Sequence, residues 1–155
     1  MNLTRFPFAT AVEHVYAAVS LDAQNHGHHL TRQLPPSLPE IEADRERIEQ
    51  VIMNIVSNAI KYTPDGGEIS ITAGTGKGTV WLQVADNGIG IPEKDLPRLF
   101  ERFYRVDKAR SRESGGTGLG LSIAKEILNQ HGGDIVITSQ YKEGTTVTIT
   151  LPAAL

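Results

Sequence analysis

Residues 44–64 read DRERIEQVIMNIVSNAIKYTP, with apolar positions recurring three and four apart. At about 100° per residue, Ile48, Val51, Ile52, Ile55, Val56, Ala59 and Ile60 share one broad arc of a helix. Arg47, Asn54, Asn58 and Lys61 fall in a narrow sector opposite. The pattern predicts a helix with one face in a core and the other presenting two amides and a cation. Asp44 stands where it can cap the first turn.

Other stretches carry the same kind of signal. Residues 8–21 place Phe8, Val12, Val15, Tyr16 and Val19 at helical spacing, and residues 121–130 do so with Ile123, Ala124, Ile127 and Leu128. His131-Gly-Gly133 ends the second of these helices with a glycine cap. Strict alternation marks residues 68–73 and 79–85 as strands, and the glycines of 74–78 predict a hairpin loop between them. Residues 134–139 and 145–151 read as a second hairpin joined by Tyr141-Lys-Glu-Gly144. Shorter strands are expected at 30–34 and 40–43, on either side of the breaker Leu34-Pro-Pro-Ser-Leu-Pro39. Within 91–103 a short helix is expected, with Asp95 near its cap, Pro97 in its first turn and Leu99, Phe100 and Phe103 facing inward. The apolar strand faces need a cover, and the helices supply it.

Length and composition narrow the chemistry. A chain of 155 residues with net charge −3 suits one domain with a real core, and carries no electrostatic footprint for nucleic acid. No apolar run approaches the ~18 residues needed to cross a bilayer, and the first residues lack a signal peptide's features. The expectation is a soluble, cytoplasmic domain. With no cysteine, a thiolate nucleophile, a disulfide and a Cys-zinc site are all excluded. Chemistry must come from Asn, Asp, Gly, Lys, Arg and Tyr.

Asparagine is a poor helix former, so two of them one turn apart cost stability unless something uses them. Amide oxygens are hard ligands suited to Mg²⁺, and Lys61 one turn on can meet phosphate oxygens, so this face could hold a metal-triphosphate. A solvated polar face explains the same residues. Asp86 closes a strand and opens a loop through Gly88 and Gly90. Its carboxylate can accept from the exocyclic amino group of adenine and would repel the carbonyl of guanine. Asp-Asn-Gly is also a common turn. Residues 104–116 are rich in cations, with Arg105, Lys108, Arg110 and Arg112, and read as a lid or as an ordinary exposed loop. Gly116-Thr-Gly-Leu-Gly120 opens a helix, whose free amides suit a phosphate. A dinucleotide turn would need a strand directly before these glycines, and a charged loop stands there instead. The run Asn25-His-Gly-His-His29 fits a transition metal or a polar turn around Gly27, and His14 reads as structural.

In order, Asn54 with Asn58-Ala-Ile-Lys-Tyr62, Asp86-Asn-Gly-Ile-Gly-Ile-Pro92, Phe100-Glu-Arg-Phe-Tyr-Arg105, Gly116-Thr-Gly-Leu-Gly120 and Gly144-Thr-Thr146 resemble the N, G1, F, G2 and G3 boxes of sensor histidine kinases. The match spans nearly the whole chain. Phe103-Tyr-Arg-Val-Asp-Lys-Ala-Arg110 is most similar to membrane-bound sensors of the envelope and phosphate-starvation type. The resemblance implies the Bergerat fold: an α/β two-layer sandwich with a mixed, mostly antiparallel sheet covered on one face by helices. It implies one catalytic and ATP-binding domain over 1–155, with an ATP lid over about 93–117.

By the same resemblance, Asn58 is the Mg²⁺ ligand, Asn54 assists at the phosphates or the metal, and Lys61 contacts phosphate. Tyr62 and Ile91 lie at the adenine, Asp86 accepts its amino group, Gly88 and Gly90 shape the pocket, and Thr145 helps through water. Arg105 and Arg110 of the lid reach the γ-phosphate, beside Tyr104. Gly116, Thr117, Gly118, Leu119 and Gly120 hold the phosphate chain, and Phe100 and Phe103 anchor the lid. Asn54, Lys61, Arg105 and Arg110 are the catalytic candidates. None of His14, His26, His28, His29 or His131 stands in a phosphoacceptor motif. Transfer to histidine therefore implies a separate dimerisation and phosphoacceptor hairpin, in a parent anchored in the membrane and signalling to a response regulator. The isolated domain is expected to be monomeric. A hydrolysing relative would place a glutamate where Asn54 stands, and a purely regulatory nucleotide-binding module is the remaining alternative.

Overall fold

The computed structural model describes residues 1–101 and 120–154. Strand β1 (Leu3–Pro7) leads directly into helix α1 (Phe8–Asn25). Strands β2 (His29–Gln33) and β3 (Glu40–Asp44) follow, then helix α2 (Arg45–Tyr62) and the hairpin β4 (Glu68–Gly76) and β5 (Thr79–Asp86). A 3-10 turn covers Glu93–Arg98. Helix α3 (Gly120–Gln130) precedes the closing hairpin β6 (Asp134–Gln140) and β7 (Gly144–Pro152).

Five strands form one sheet in the order β2-β4-β5-β7-β6, in which β2 runs parallel to β4 and every other pair is antiparallel. This is the mixed, mostly antiparallel sheet expected. Alternation decides the burial: Ile69, Ile71, Val80, Leu82, Val84, Ile149 and Leu151 are buried beneath the helices, while Trp81, Gln83, Thr148 and Thr150 occupy the other face and are only partly covered. Helix α2 lays Ile48, Val51, Ile52, Ile55 and Val56 on that core, all at 2% exposure or less. Helix α1 adds Phe8, Val12 and Val15, and α3 adds Ala124, Ile127 and Leu128.

Three features depart from the sequence reading. Strand β1 gave no alternation signal, because only Phe6 within it is buried; it pairs antiparallel with β3 as a separate two-stranded sheet. Gly74 lies inside β4 opposite Trp81, whose indole covers the space a Cβ would need, so the hairpin loop shrinks to Lys77-Gly78. The helix expected within 91–103 is the 3-10 turn, with Pro97 inside it and Leu99 buried after it. The rest of the expected lid, including Phe103, lies outside the described residues.

Candidate functional site

Helix α2 begins where Asp44 accepts from the backbone N–H groups of Arg47 at 3.4 Å and Asn2 at 3.1 Å. The cap thus also ties down the first strand. From the middle of the helix to its end, Asn54, Asn58, Lys61 and Tyr62 are half-buried along the face turned from the core. The Asn54 amide donates from Nδ2 to the carbonyl oxygen of Gly120 at 3.3 Å, bridging α2 to the first residue of α3. The Asn58 side chain has no hydrogen-bond partner among the described residues. Its carboxamide is a hard oxygen donor in a partly desolvated place, which fits Mg²⁺.

The sheet supplies the other wall. On the helix-covered face, the cross-strand rows Ala73–Leu82–Ile149–Ile135 and Ile71–Val84–Val147–Ile137 are wholly apolar. The next row is Ile69–Asp86–Thr145–Ser139. Three adjacent strands therefore turn polar at the same level, where the core gives out. Asp86 Oδ1 accepts from the backbone N–H of Gly88 at 2.9 Å and of Thr145 at 3.3 Å. Its Oδ2 has no partner among the described residues. Burial pushes the Asp86 carboxyl above its ordinary 3.8, against the opposing pull of those two N–H groups and of nearby His28.

The loop after Asp86 is held from both sides. Ile89 N–H donates to the Tyr62 carbonyl at 3.1 Å, Lys142 N–H donates to the Ile89 carbonyl at 2.6 Å, and Asn87 Oδ1 accepts from Glu68 N–H at 2.8 Å. A Cβ on Gly88 would collide with the Tyr62 carbonyl, so the glycine allows the loop to close against the end of α2. Gly90 has φ +71°, and a side chain there would strike the Gln140 backbone. Ile91 N–H donates to Ser139 Oγ at 2.8 Å. Phe100 packs on the core with Lys125 Nζ 4.6 Å from its ring centroid.

Asn54, Asn58, Lys61, Tyr62, Asp86, Gly88, Gly90, Ile91, Gly120 and Thr145 are all within the described residues. Tyr104, Arg105, Arg110, Gly116, Thr117, Gly118 and Leu119 lie outside them. Sequence reasoning missed Ser139, although it occupies the inward slot of the alternation Ile135, Ile137, Ser139 and that polar break was available. It also missed Thr63, and for the histidine run that includes His28 it left a metal site and a polar turn both open. His28 is 8% exposed and donates from Nε2 to the Thr63 carbonyl at 2.8 Å, with the His26 ring stacked on it. The histidine run thus serves the turn around Gly27, at φ +69°, rather than gathering its rings around one point. Among the described residues no group of His, Asp and Glu is arranged to hold a metal.

A family model described as histidine kinase-, DNA gyrase B-, and HSP90-like ATPase matches residues 43–155. Sensor histidine kinase WalK of Bacillus subtilis is 52% identical over 123 residues, which is 78% of this chain and 20% of WalK. The chain therefore spans about a fifth of the length of that relative. The catalytic domain of histidine kinase ThkA superposes with a TM-score of 0.86 at 30% identity, covering 99% of this chain and 97% of that one. Full-length ShkA, solved in complex with AMPPNP, gives a TM-score of 0.85 at 28% identity, over 99% of this chain and 32% of ShkA.

Proposed function

The chain belongs to the family of histidine kinase-, DNA gyrase B- and HSP90-like ATPases, and from that premise we propose that it is the catalytic and ATP-binding domain of a sensor histidine kinase. It binds Mg-ATP and donates the γ-phosphoryl group to a histidine on a separate helical hairpin of its parent, which in turn signals to a response regulator. The observation that carries this reading is Asp86, a carboxylate held by two backbone N–H groups through Oδ1 and left with Oδ2 for a ligand.

Each residue has a task in that reaction. Asp86 Oδ2 accepts from the 6-amino group of adenine, and the lone pairs of Thr145 complete an acceptor-only floor. Asn58 offers its amide oxygen to Mg²⁺, with Asn54 beside it and Lys61 toward the phosphates. Held there, a magnesium ion would supply positive charge against the phosphate oxygens. The amides at the start of α3 face the phosphate chain with the helix dipole behind them. Arg105, Arg110, Tyr104 and the glycines 116 and 118, with Thr117 and Leu119, complete the phosphate end, and Tyr62 and Ile91 flank the base. Positioning and charge neutralisation are most of what phosphoryl transfer asks of a protein.

Hydrolysis is disfavoured because Asn54 is an amide that cannot act as a base, and its N–H is given to Gly120. No helix among the described residues is long and apolar enough to cross a membrane. In this reading membrane anchoring and dimerisation belong to other parts of a parent kinase, and the isolated domain is monomeric. The test is incubation with γ-labelled ATP, with and without a matched acceptor hairpin. Label on the hairpin histidine is the expected result. Rapid phosphate release without a hairpin would instead identify an ATPase, and binding without transfer a regulatory module.

A further inference from the structure

Ser139 Oγ stands at a junction of three contacts. It accepts from Ile91 N–H at 2.8 Å, donates to the Gly144 carbonyl at 2.8 Å, and lies 2.9 Å from Thr145 Oγ1. A serine hydroxyl has one proton and two lone pairs. Turning the Ser139 proton toward Thr145 would set two bare oxygens, those of Ser139 and Gly144, against each other at 2.8 Å. The proton must therefore go to Gly144, and Thr145 must be the donor to Ser139. That spends the only hydroxyl proton Thr145 has. Its Oγ1 can then only accept, on the same cross-strand row as Asp86, whose free oxygen can only accept as well.

We propose that Ser139 is a specificity-determining residue: by accepting the hydrogen bond of the Thr145 hydroxyl, it makes the base pocket present acceptors alone and so select a purine with a 6-amino group over one with a 6-carbonyl. The inference rests on the ATP-binding reading above and deepens it. Ser139 is a positioning residue, acting on the base through Thr145 directly or through a water that Thr145 orients. With Ser139 removed, the Thr145 hydroxyl is free to rotate and can donate toward a carbonyl. The backbone that Ser139 also ties, at Ile91 and Gly144, belongs to the loops flanking the same pocket. Gly144 sits at φ +144°, where a Cβ would strike the Asp86 carbonyl.

Calorimetric affinities of the chain for ADP and for inosine diphosphate, both with Mg²⁺, test this, because the two bases differ in the 6-position group and the N1 proton that follows it. The wild type should favour ADP strongly. Ser139→Ala should narrow the ADP to inosine diphosphate ratio by about 3- to 10-fold, the worth of one redirected hydrogen bond. Ser139→Thr, which keeps the hydroxyl, should retain the wild-type ratio. Should Ser139→Ala fail to fold by circular dichroism, Thr145→Val carries the test, with the same narrowing expected. A ratio unchanged in the variant measured, whether both affinities fall together or neither moves, overturns the proposal and leaves Ser139 a structural tie. Absence of ADP binding by the wild type would instead overturn the ATP-binding reading on which it stands.

Discussion

Asn54 donates its side-chain N–H to the carbonyl oxygen of Gly120 across 3.3 Å, joining the middle of α2 to the first residue of α3. At the far end of the same pair of helices, the backbone N–H of Asp44 donates to His131 Nε2 at 3.1 Å, while His131 Nδ1 donates to the Ile127 carbonyl at 2.8 Å. Helix α3 is thus tied to α2 at both of its ends, and the two run antiparallel. The start of α3, where phosphate-binding amides are expected, is held in place from the helix that carries Asn58.

Replacing Asn54 tests that tie. Asn54→Ala removes the donor, and Asn54→Asp sets a carboxylate against both the Gly120 carbonyl and the phosphates. Calorimetry with Mg-ATP should give a larger loss for Asn54→Asp than for Asn54→Ala, by about tenfold or more. Equal losses would mean that Asn54 faces neither group.

Asp86→Asn should fold normally, since an amide oxygen can accept the same Gly88 and Thr145 N–H groups. It puts an N–H donor where the carboxylate offered an acceptor. ADP affinity should fall on the order of 100-fold, with an unchanged or raised melting temperature. ADP affinity within threefold of wild type in this variant would remove Asp86 from the base pocket.

The raised Asp86 carboxyl makes binding and stability move in opposite directions with pH. Burial makes the folded protein hold this proton more tightly than the unfolded chain, whose carboxyl titrates near the ordinary 3.8. The contribution of Asp86 to unliganded stability therefore rises as pH falls through its folded value, and is complete below 3.8. Binding needs the ionised acceptor, so ADP affinity should decline over the same acid interval, above 3.8. Fluorescence or calorimetric titrations across pH 4 to 7 would check this, with Asp86→Asn as the flat control.

Asn58 should matter through magnesium. With Mg²⁺ present, Asn58→Ala should weaken ATP binding by about 10- to 100-fold or more, since even partners outside the ligand shell of a metal site are worth that much. After chelation with EDTA, wild type and variant should converge. A deficit of the same size with and without magnesium would assign Asn58 to the fold or to the nucleotide itself.

Much of the fold was legible because it is written in local periods. The apolar arc of α2 and the alternation of β4, β5 and β7 are each contained in one segment, and all four elements lie where those patterns put them. Strand β1 was not legible, since its pairing with β3 buries only Phe6 and leaves Leu3 exposed. Gly74 read as loop because what holds it in a strand is Trp81, seven residues later. Asp86 and Asn58 stood out as polar groups at the edges of apolar patterns. Ser139 makes the same kind of polar break after Ile135 and Ile137, but its role depends on Ile91, Gly144 and Thr145, which spacing within β6 does not bring in.

What the chain's own order of residues determined is which faces are apolar, where helices start and stop, and which amides and carboxylate are left over. Those follow from side-chain spacing and capping, which act over a few residues. Tertiary structure alone decided that Asp86, Thr145 and Ser139 form one row, that Asn54 meets Gly120, and which hydroxyl is the donor. Asp86 meets Thr145 across 59 residues and Asn54 meets Gly120 across 66, and the hydroxyl of Ser139 is directed where the β6–β7 turn meets Ile91, 48 residues away, so spacing within one segment does not encode them.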